Sequence, residues 1–310
     1  MSPARAIIPT MLALSLLAGP SALAAQEPSN EQPTIVVTTE VLGSIVRDLA
    51  ADEADVTVLM TAGADPHSWQ PSARDSQALF EADVIVANGL DLEEGLIDLL
   101  GQAETEGVPV FRATDHVAIR MPSSQDHGEE ADDEDQVDQE HASGDPHFWL
   151  DPLAMRDVVL ALGAAMAEAG IDVADRASRM AAELETLDDE LATMLEVVPI
   201  ERRQLVTGHE ALGYFADRYG FDIVGTVIPG LSSSDEPSAR DIAELIDSIR
   251  AAGATAVFTD VSTPASVAEA VAAEAGVQIV QLKVEQLPES GSYADLLRQV
   301  AASVAEALSS

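Results

Sequence analysis

The chain has 310 residues, with 55 acidic residues against 15 basic ones, which gives a formal net charge of −40 at pH 7. So acidic a surface repels nucleic acids and anionic membranes, which argues against a nucleic-acid-binding function and favours cations as ligands. The chain contains no cysteine, so it has neither disulfides nor thiolate ligands and nucleophiles.

Residues 1–25 are typical of a secretory signal peptide. Arg5 gives a short basic region, an apolar stretch follows, and small residues predict cleavage after Ala24 or Ala25. The apolar stretch is too short to span a membrane comfortably, and no later segment is apolar over about 18 residues. We therefore expect an exported, periplasmic protein without a lipid-anchor cysteine. The polar leader over 26–33 is predicted to be disordered.

An N-terminal α/β lobe is predicted over 34–152, because strands and helices alternate as in a parallel sheet of βαβ units. Its strands are predicted over 34–39, 56–60, 83–89 and 109–113, with helices over 40–51, 71–82 and 92–103. Pro71 is expected in the first turn of the second helix. The rhythm stops at 119–145, where nine acidic residues between 126 and 140 predict a mobile loop.

A helical connection over 153–200 and a C-terminal α/β lobe over 201–310 complete the prediction. The connection contains helices over 154–170 and 172–198, and the second of these would measure roughly 40 Å and form a rigid backbone between the lobes. The C-terminal lobe has strands over 204–208, 222–228, 256–260 and 277–282, and helices over 210–220, 236–253, 266–276 and 292–308. Two similar α/β lobes with parallel sheets predict a ligand site in the cleft between them.

Three of the six histidines follow strand-like segments of the two lobes, namely His67, His147 and His209. Ligands of open α/β sheets bind outside the carboxyl ends of the strands, so these imidazoles are candidates for one shared metal site. Each histidine alone is equally compatible with a packing or capping role. The tripeptide Asp-Pro-His occurs at 65–67 and 145–147, where a neighbouring acid or carbonyl group is a candidate partner that fixes the imidazole tautomer.

Several ordered motifs give the chain a specific resemblance over residues 34–308. They are "ADPHSWQPSARD", "ANGLDLE", "GDPHFWLDP", "TGHEALGYFADRYG", "EPSARDIAELID" and "VFTDVSTPASVAEAVAAEAG". With them the chain resembles the metal-binding receptors of zinc and manganese ABC importers, which are periplasmic solute-binding proteins with one long backbone helix. The resemblance implies a membrane permease as partner, and a periplasmic metallochaperone is a further candidate. A monomer without nucleic-acid partners is expected.

The resemblance makes His67, His147 and His209 three metal ligands. The family's fourth ligand is a carboxylate near the C-terminus, and the matching string "LKVEQLPESGSYADLL" assigns that role to Glu285. This string departs from the family's usual Thr-Asp-Ser pattern, so Asp65, Asp260 or a water stay open as alternatives. For Asp260 a supporting role is favoured.

The expected cargo is Zn²⁺, because three imidazoles and one carboxylate suit its tetrahedral geometry, whereas Mn²⁺ prefers oxygen-rich sites. The resemblance adds that His at the position of His209 is typical of zinc binders, although Mn²⁺ remains possible. His127 and His141, at the edges of the acidic run, are candidates for weak accessory metal capture. A solvated charge run explains this loop equally well.

Two other functions are compatible with parts of the pattern. In a zinc hydrolase, Glu210 beside His209 would be the general base, but the chain lacks an HExxH motif and Glu210 complements a helix N-terminus. A soluble metal buffer would use the same site. A tethered surface adhesin is disfavoured because no lipid-anchor cysteine is present.

Overall fold

The computed structural model describes residues 32–121 and 144–309, which form two α/β lobes, each built on a parallel sheet of four strands. The first sheet has the order β2-β1-β3-β4 and the second the order β6-β5-β7-β8. The strands are β1 (Thr34–Val37), β2 (Asp55–Val58), β3 (Val84–Ala87), β4 (Val110–Arg112), β5 (Gln204–Thr207), β6 (Asp222–Thr226), β7 (Ala256–Thr259) and β8 (Gln278–Gln281). The predicted fold class is confirmed.

Nine α-helices surround the sheets within these described ranges. They are α1 (Glu40–Ala50), α2 (Ala73–Glu81), α3 (Ile97–Thr105), α4 (Pro152–Glu168), α5 (Ala174–Leu195), α6 (Gly213–Tyr219), α7 (Ala239–Ala252), α8 (Ala265–Ala275) and α9 (Tyr293–Leu308). Among the described helices, none combines the length and apolar composition needed to cross a bilayer. The predicted signal peptide, nearly all of the leader, and His127 and His141 of the acidic loop lie outside the described residues.

The same five residues, Pro-Ser-Ala-Arg-Asp, lead into equivalent helices of the two lobes, at 71–75 for α2 and at 237–241 for α7. Ser72 accepts a hydrogen bond from the backbone N–H of Asp75, and the Asp75 carboxylate accepts one from the backbone N–H of Ser72. Ser238 and Asp241 form the same capping box at the start of α7. Pro71 therefore precedes the N-cap, and the prediction that it lies in the first helical turn is wrong, because the serine ends the extended segment.

Helix α5 contacts both lobes. Near its start, the Arg176 guanidinium donates to the carbonyl oxygens of Leu49 and Ala50 at the end of α1. In its second half, the Asp188 carboxylate accepts hydrogen bonds from Arg218 and from the hydroxyl of Tyr219 in α6. The helix has 22 residues, or about 33 Å, which is shorter than predicted because its last turn stops before the segment that leads to β5.

One hydrophobic cluster is continuous through both lobes. It includes apolar residues of β1 and α1 in the first lobe, of α4 and α5 between the lobes, and of β5 and α9 in the second lobe. Because this core is shared, each lobe buries apolar surface against the same central helices, and the loops at the carboxyl ends of the two sheets are held facing each other.

Candidate metal centre

Four buried side chains converge between the lobes: His67, His147, His209 and Glu285. One nitrogen or oxygen atom of each lies within 4.8 Å of the corresponding atoms of the other three. His67 follows β2, His209 follows β5 and Glu285 follows β8, while His147 directly precedes the short 3-10 turn before α4. The largest exposed fraction in the group is the 8% of Glu285. These are the four residues that the sequence assigns to a metal site, and the structure brings them together.

The atoms directed at the centre of this group lack ordinary hydrogen-bond partners. His147 Nε2 and His209 Nε2 are 3.3 Å apart. His67 Nε2 and both carboxylate oxygens of Glu285 are buried without a hydrogen-bond partner among the described residues. Leaving such atoms unpaired costs roughly 1–3 kcal/mol each, so their convergence fits a site that a cation completes.

The opposite nitrogen of each imidazole faces a carboxylate. The pairs are His147 Nδ1 with Asp145 Oδ1 at 2.8 Å, His209 Nδ1 with Asp260 Oδ2 at 3.2 Å, and His67 Nδ1 with Glu94 Oε1 at 3.5 Å. A carboxylate at Nδ1 keeps a proton on that atom, orients the ring and raises the basicity of Nε2. All three rings are therefore prepared to bind a metal through Nε2.

The two Asp-Pro-His tripeptides use their aspartates differently. Asp145 Oδ1 accepts from both the backbone N–H (2.9 Å) and Nδ1 of His147. Asp65 accepts the backbone N–H of His67 at 3.0 Å, but its other oxygen accepts from two serine hydroxyls, and Glu94 faces the ring instead. Asp65 and Asp260 thus support their neighbours and lie outside the group of four.

The protonation of the centre is set by burial and by the mutual influence of its charges. Burial lowers the pKa of His67 to about 3, assisted by the other two histidines, and burial likewise lowers the pKa of His147. Burial also acts to lower the pKa of His209, but the ion pair with Asp260 outweighs it and the net pKa is raised. Burial raises the pKa of Glu285 to about 8. Without a metal, Glu285 is therefore mostly protonated at neutral pH, whereas His67 and His147 are neutral.

A buried carboxylate behind the centre supports the segment that carries His147. Glu93 accepts hydrogen bonds from Thr38 Oγ1 at 2.5 Å and from the backbone N–H of Asn88 at 2.7 Å. Asn88 in turn donates from its side chain to the carbonyl oxygen of Pro146 at 3.0 Å. Asn88 and Glu93 belong to the motif "ANGLDLE", from which no role for them is predicted, because their contacts with Pro146 and Thr38 join positions more than 50 residues apart.

This fold and this centre define a two-lobed receptor that binds a metal ion between parallel-sheet lobes. Residues 35–307 match the family described as zinc-uptake complex component A, periplasmic, and the chain belongs to this family. It is accordingly a metal-binding receptor of an ABC importer and not an enzyme, so the hydrolase alternative is wrong.

Relatives named for either metal are similar to the chain. The zinc-binding protein TroA of Treponema pallidum (strain Nichols) is 29% identical over 257 residues, which cover 81% of this chain and 78% of that protein. The manganese-binding lipoprotein MntA of Halalkalibacterium halodurans is 28% identical over 250 residues, covering 79% and 76%. The solved structure of the periplasmic zinc-binding TroA has a TM-score of 0.75 at 26% identity, covering 90% of this chain and 100% of that one. The predicted family is confirmed.

Proposed function

We propose that the protein captures Zn²⁺ between its lobes and delivers it to the membrane permease of an ABC importer. The observation that supports this most directly is the donor set, in which three imidazole nitrogens and one carboxylate oxygen lie within 4.8 Å of one another. Such a set matches the tetrahedral preference of Zn²⁺, whereas Mn²⁺ favours more oxygen ligands and higher coordination.

In this proposal each lobe supplies two ligands. His67 and His147 bind the metal through Nε2 from the first lobe, and His209 does so from the second. Glu285 binds through its carboxylate, which has no competing hydrogen bond among the described residues. The cation would then connect the lobes and satisfy the unpartnered buried atoms.

The proposed location is the periplasm, and the proposed partners are the permease and, as an option, a metallochaperone. The description of the family supports this location and this type of partner, and the signal peptide predicted over 1–25 agrees with it. We propose a monomer. An accessory capture role for His127 and His141 remains a prediction from the acidic sequence around them.

The test is competitive titration of the protein lacking residues 1–25 against a chromophoric chelator, with Zn²⁺ and Mn²⁺ in parallel. We expect one tight Zn²⁺ site that survives deletion of 124–142 and weakens at least tenfold in Glu285→Ala. Glu289→Ala, which removes an exposed glutamate four residues away, is the matched control and should bind as the wild type does.

The outcomes separate the parts of the proposal. Equal affinity for Mn²⁺ would make the zinc assignment wrong or incomplete, in line with the manganese-binding relative. Unchanged affinity in Glu285→Ala would move the fourth ligand to another oxygen donor. The absence of a tight site for either metal would refute the proposed function.

A further inference from the structure

Trp149 connects two of the metal-facing side chains that come from opposite lobes. Its ring centroid lies 5.2 Å from that of His147, two residues earlier in the chain. Its indole Nε1–H donates to the carbonyl oxygen of Val284, the residue directly before Glu285, at 2.8 Å. Trp149 is 4% exposed and Val284 2%, so this hydrogen bond is shielded from water.

A second hydrogen bond fixes the backbone of the tryptophan itself. The hydroxyl of Tyr293, the first residue of α9, donates to the carbonyl oxygen of Trp149 at 2.7 Å, and Tyr293 is also buried. The indole and the backbone of Trp149 are therefore both bound to the second lobe, although the residue belongs to the segment of His147.

The carboxylate of Glu285 needs such support from its backbone. Both of its oxygens are buried without a hydrogen-bond partner among the described residues, so no hydrogen bond to the carboxylate itself directs it at the histidines. The carbonyl of Val284, directly before Glu285, accepts the indole hydrogen bond of Trp149, and a buried carbonyl left without a donor would turn to find one.

We propose that Trp149 is a positioning residue for metal binding, which holds Glu285 at the correct distance from His147 through the Val284 carbonyl. This inference rests on the proposed function, because it assigns Glu285 as a ligand. Trp149 does not touch the metal. Its indole N–H sets the affinity by keeping the carboxylate in place before the cation arrives, so that little ordering is needed on binding.

Trp69 offers a matched comparison within the same chain. It also lies two residues after an Asp-Pro-His histidine, but it packs against the hydrophobic cluster of the first lobe. Replacing either tryptophan by phenylalanine keeps an aromatic ring and removes the indole N–H. Only the change at Trp149 removes a hydrogen bond to the segment of Glu285.

The experiment measures Zn²⁺ affinity by competitive titration for Trp149→Phe and Trp69→Phe, each in the wild type and in Glu285→Gln. We expect Trp149→Phe to bind Zn²⁺ about tenfold more weakly, which corresponds to ~1.4 kcal/mol, and Trp69→Phe to change affinity less than twofold. In the Glu285→Gln background, Trp149→Phe should cause no further loss, because its effect acts through Glu285.

Two results would overturn the inference: wild-type affinity in Trp149→Phe, or an equal loss in both backgrounds, which would indicate a general packing role. Thermal unfolding of the metal-free variants shows whether each one folds. If Trp149→Phe does not fold, Tyr293→Phe takes its place, with a smaller loss expected that again vanishes in Glu285→Gln. A wild type without a zinc site would instead refute the proposed function.

Discussion

Replacing Glu285 by glutamine should stabilise the metal-free protein at alkaline pH while weakening metal binding. Burial raises the pKa of Glu285 from the usual 4.5 to about 8. An acid whose pKa is raised by folding favours the folded state only while it is protonated, so stability is lost as the pH rises from the unfolded pKa through the folded one. Glutamine has a similar shape and stays neutral at every pH.

The size of the effect follows from these two pKa values. One pKa unit corresponds to ~1.36 kcal/mol, so the buried Glu285 lowers the free energy of unfolding by about 4 kcal/mol more at pH 9 than at pH 5. In a chain of this size that difference corresponds to a shift in melting temperature on the order of 10 °C. At pH 5 both the protonated glutamate and the glutamine are neutral in the fold. The free energies of unfolding of the two proteins should then differ by no more than about 1 kcal/mol.

The assay is differential scanning calorimetry of wild type and Glu285→Gln in chelator at pH 5, 7 and 9. Every other titrating group is common to both proteins, so the difference between their melting temperatures reports on this carboxyl and on its influence on His209. We expect the variant's advantage to grow with pH. A difference that is constant from pH 5 to pH 9 would refute the argument that Glu285 is desolvated in the metal-free protein and has no hydrogen-bond partner among the described residues.

Three further results are expected. Zinc affinity should fall as the pH drops from 8 to 6, by about tenfold per pH unit for each proton that Glu285 or His209 must lose. Isothermal titration calorimetry in buffers of different ionisation enthalpy measures that proton release. A zinc affinity that does not change with pH would contradict the prediction. Asp260→Asn should weaken zinc binding 10- to 100-fold, because it removes the carboxylate at His209 Nδ1. A zinc affinity equal to that of the wild type in competitive titration would contradict this. Arg120→Gln should speed zinc dissociation a few-fold, since Arg120 contacts the carboxylate of Asp145 at 3.4 Å; stopped-flow release rates equal to wild type would count against this link.

Zinc release is expected at a higher pH than unperturbed histidines alone would give. With ordinary imidazole pKa values near 6.5, zinc release is predicted only below about pH 6. The lowered pKa values of His67 and His147 weaken the competition of protons for these two rings. The raised pKa values of Glu285 and His209 move that competition towards neutral pH.

The architecture was predictable because its signals are local. The alternation of strands and helices predicts two parallel sheets, and histidines after strand-like segments predict side chains at one edge. The strand order and the shorter extent of α5 depend on packing between distant segments, which a pattern of period 2 or 3.6 does not contain. The existence of the helices and strands could therefore be predicted from the sequence, whereas their arrangement is known only from the structure.

The support of the centre was only partly predictable, as the two Asp-Pro-His tripeptides illustrate. At His147 the aspartate two residues earlier binds Nδ1, as proximity in sequence suggests. At His67 the equivalent Asp65 is occupied by serine hydroxyls, one of them from the second lobe, and Glu94 takes its place at the ring. A tripeptide motif specifies which groups are near the histidine, but tertiary contacts decide which carboxylate binds it.

The instability expected of ionised Glu285 and the positioning role proposed for Trp149 depend on each other. Once ionised, Glu285 has a buried carboxylate with no hydrogen-bond partner among the described residues. Such a group lowers its free energy by moving towards water, so it stays in the centre only if its backbone is held. The hydrogen bond from Trp149 to the Val284 carbonyl supplies that restraint. A cation that binds the restrained carboxylate recovers the desolvation cost, which therefore adds to the affinity. Trp149→Phe should accordingly lower metal affinity. In the metal-free proteins at pH 9, wild type should melt below Glu285→Gln, and Trp149→Phe should melt below the double variant Trp149→Phe with Glu285→Gln. The second difference in melting temperature should be smaller than the first. Calorimetry of these four proteins measures this coupling, and identical differences in both pairs would show that the carboxylate is held without the tryptophan.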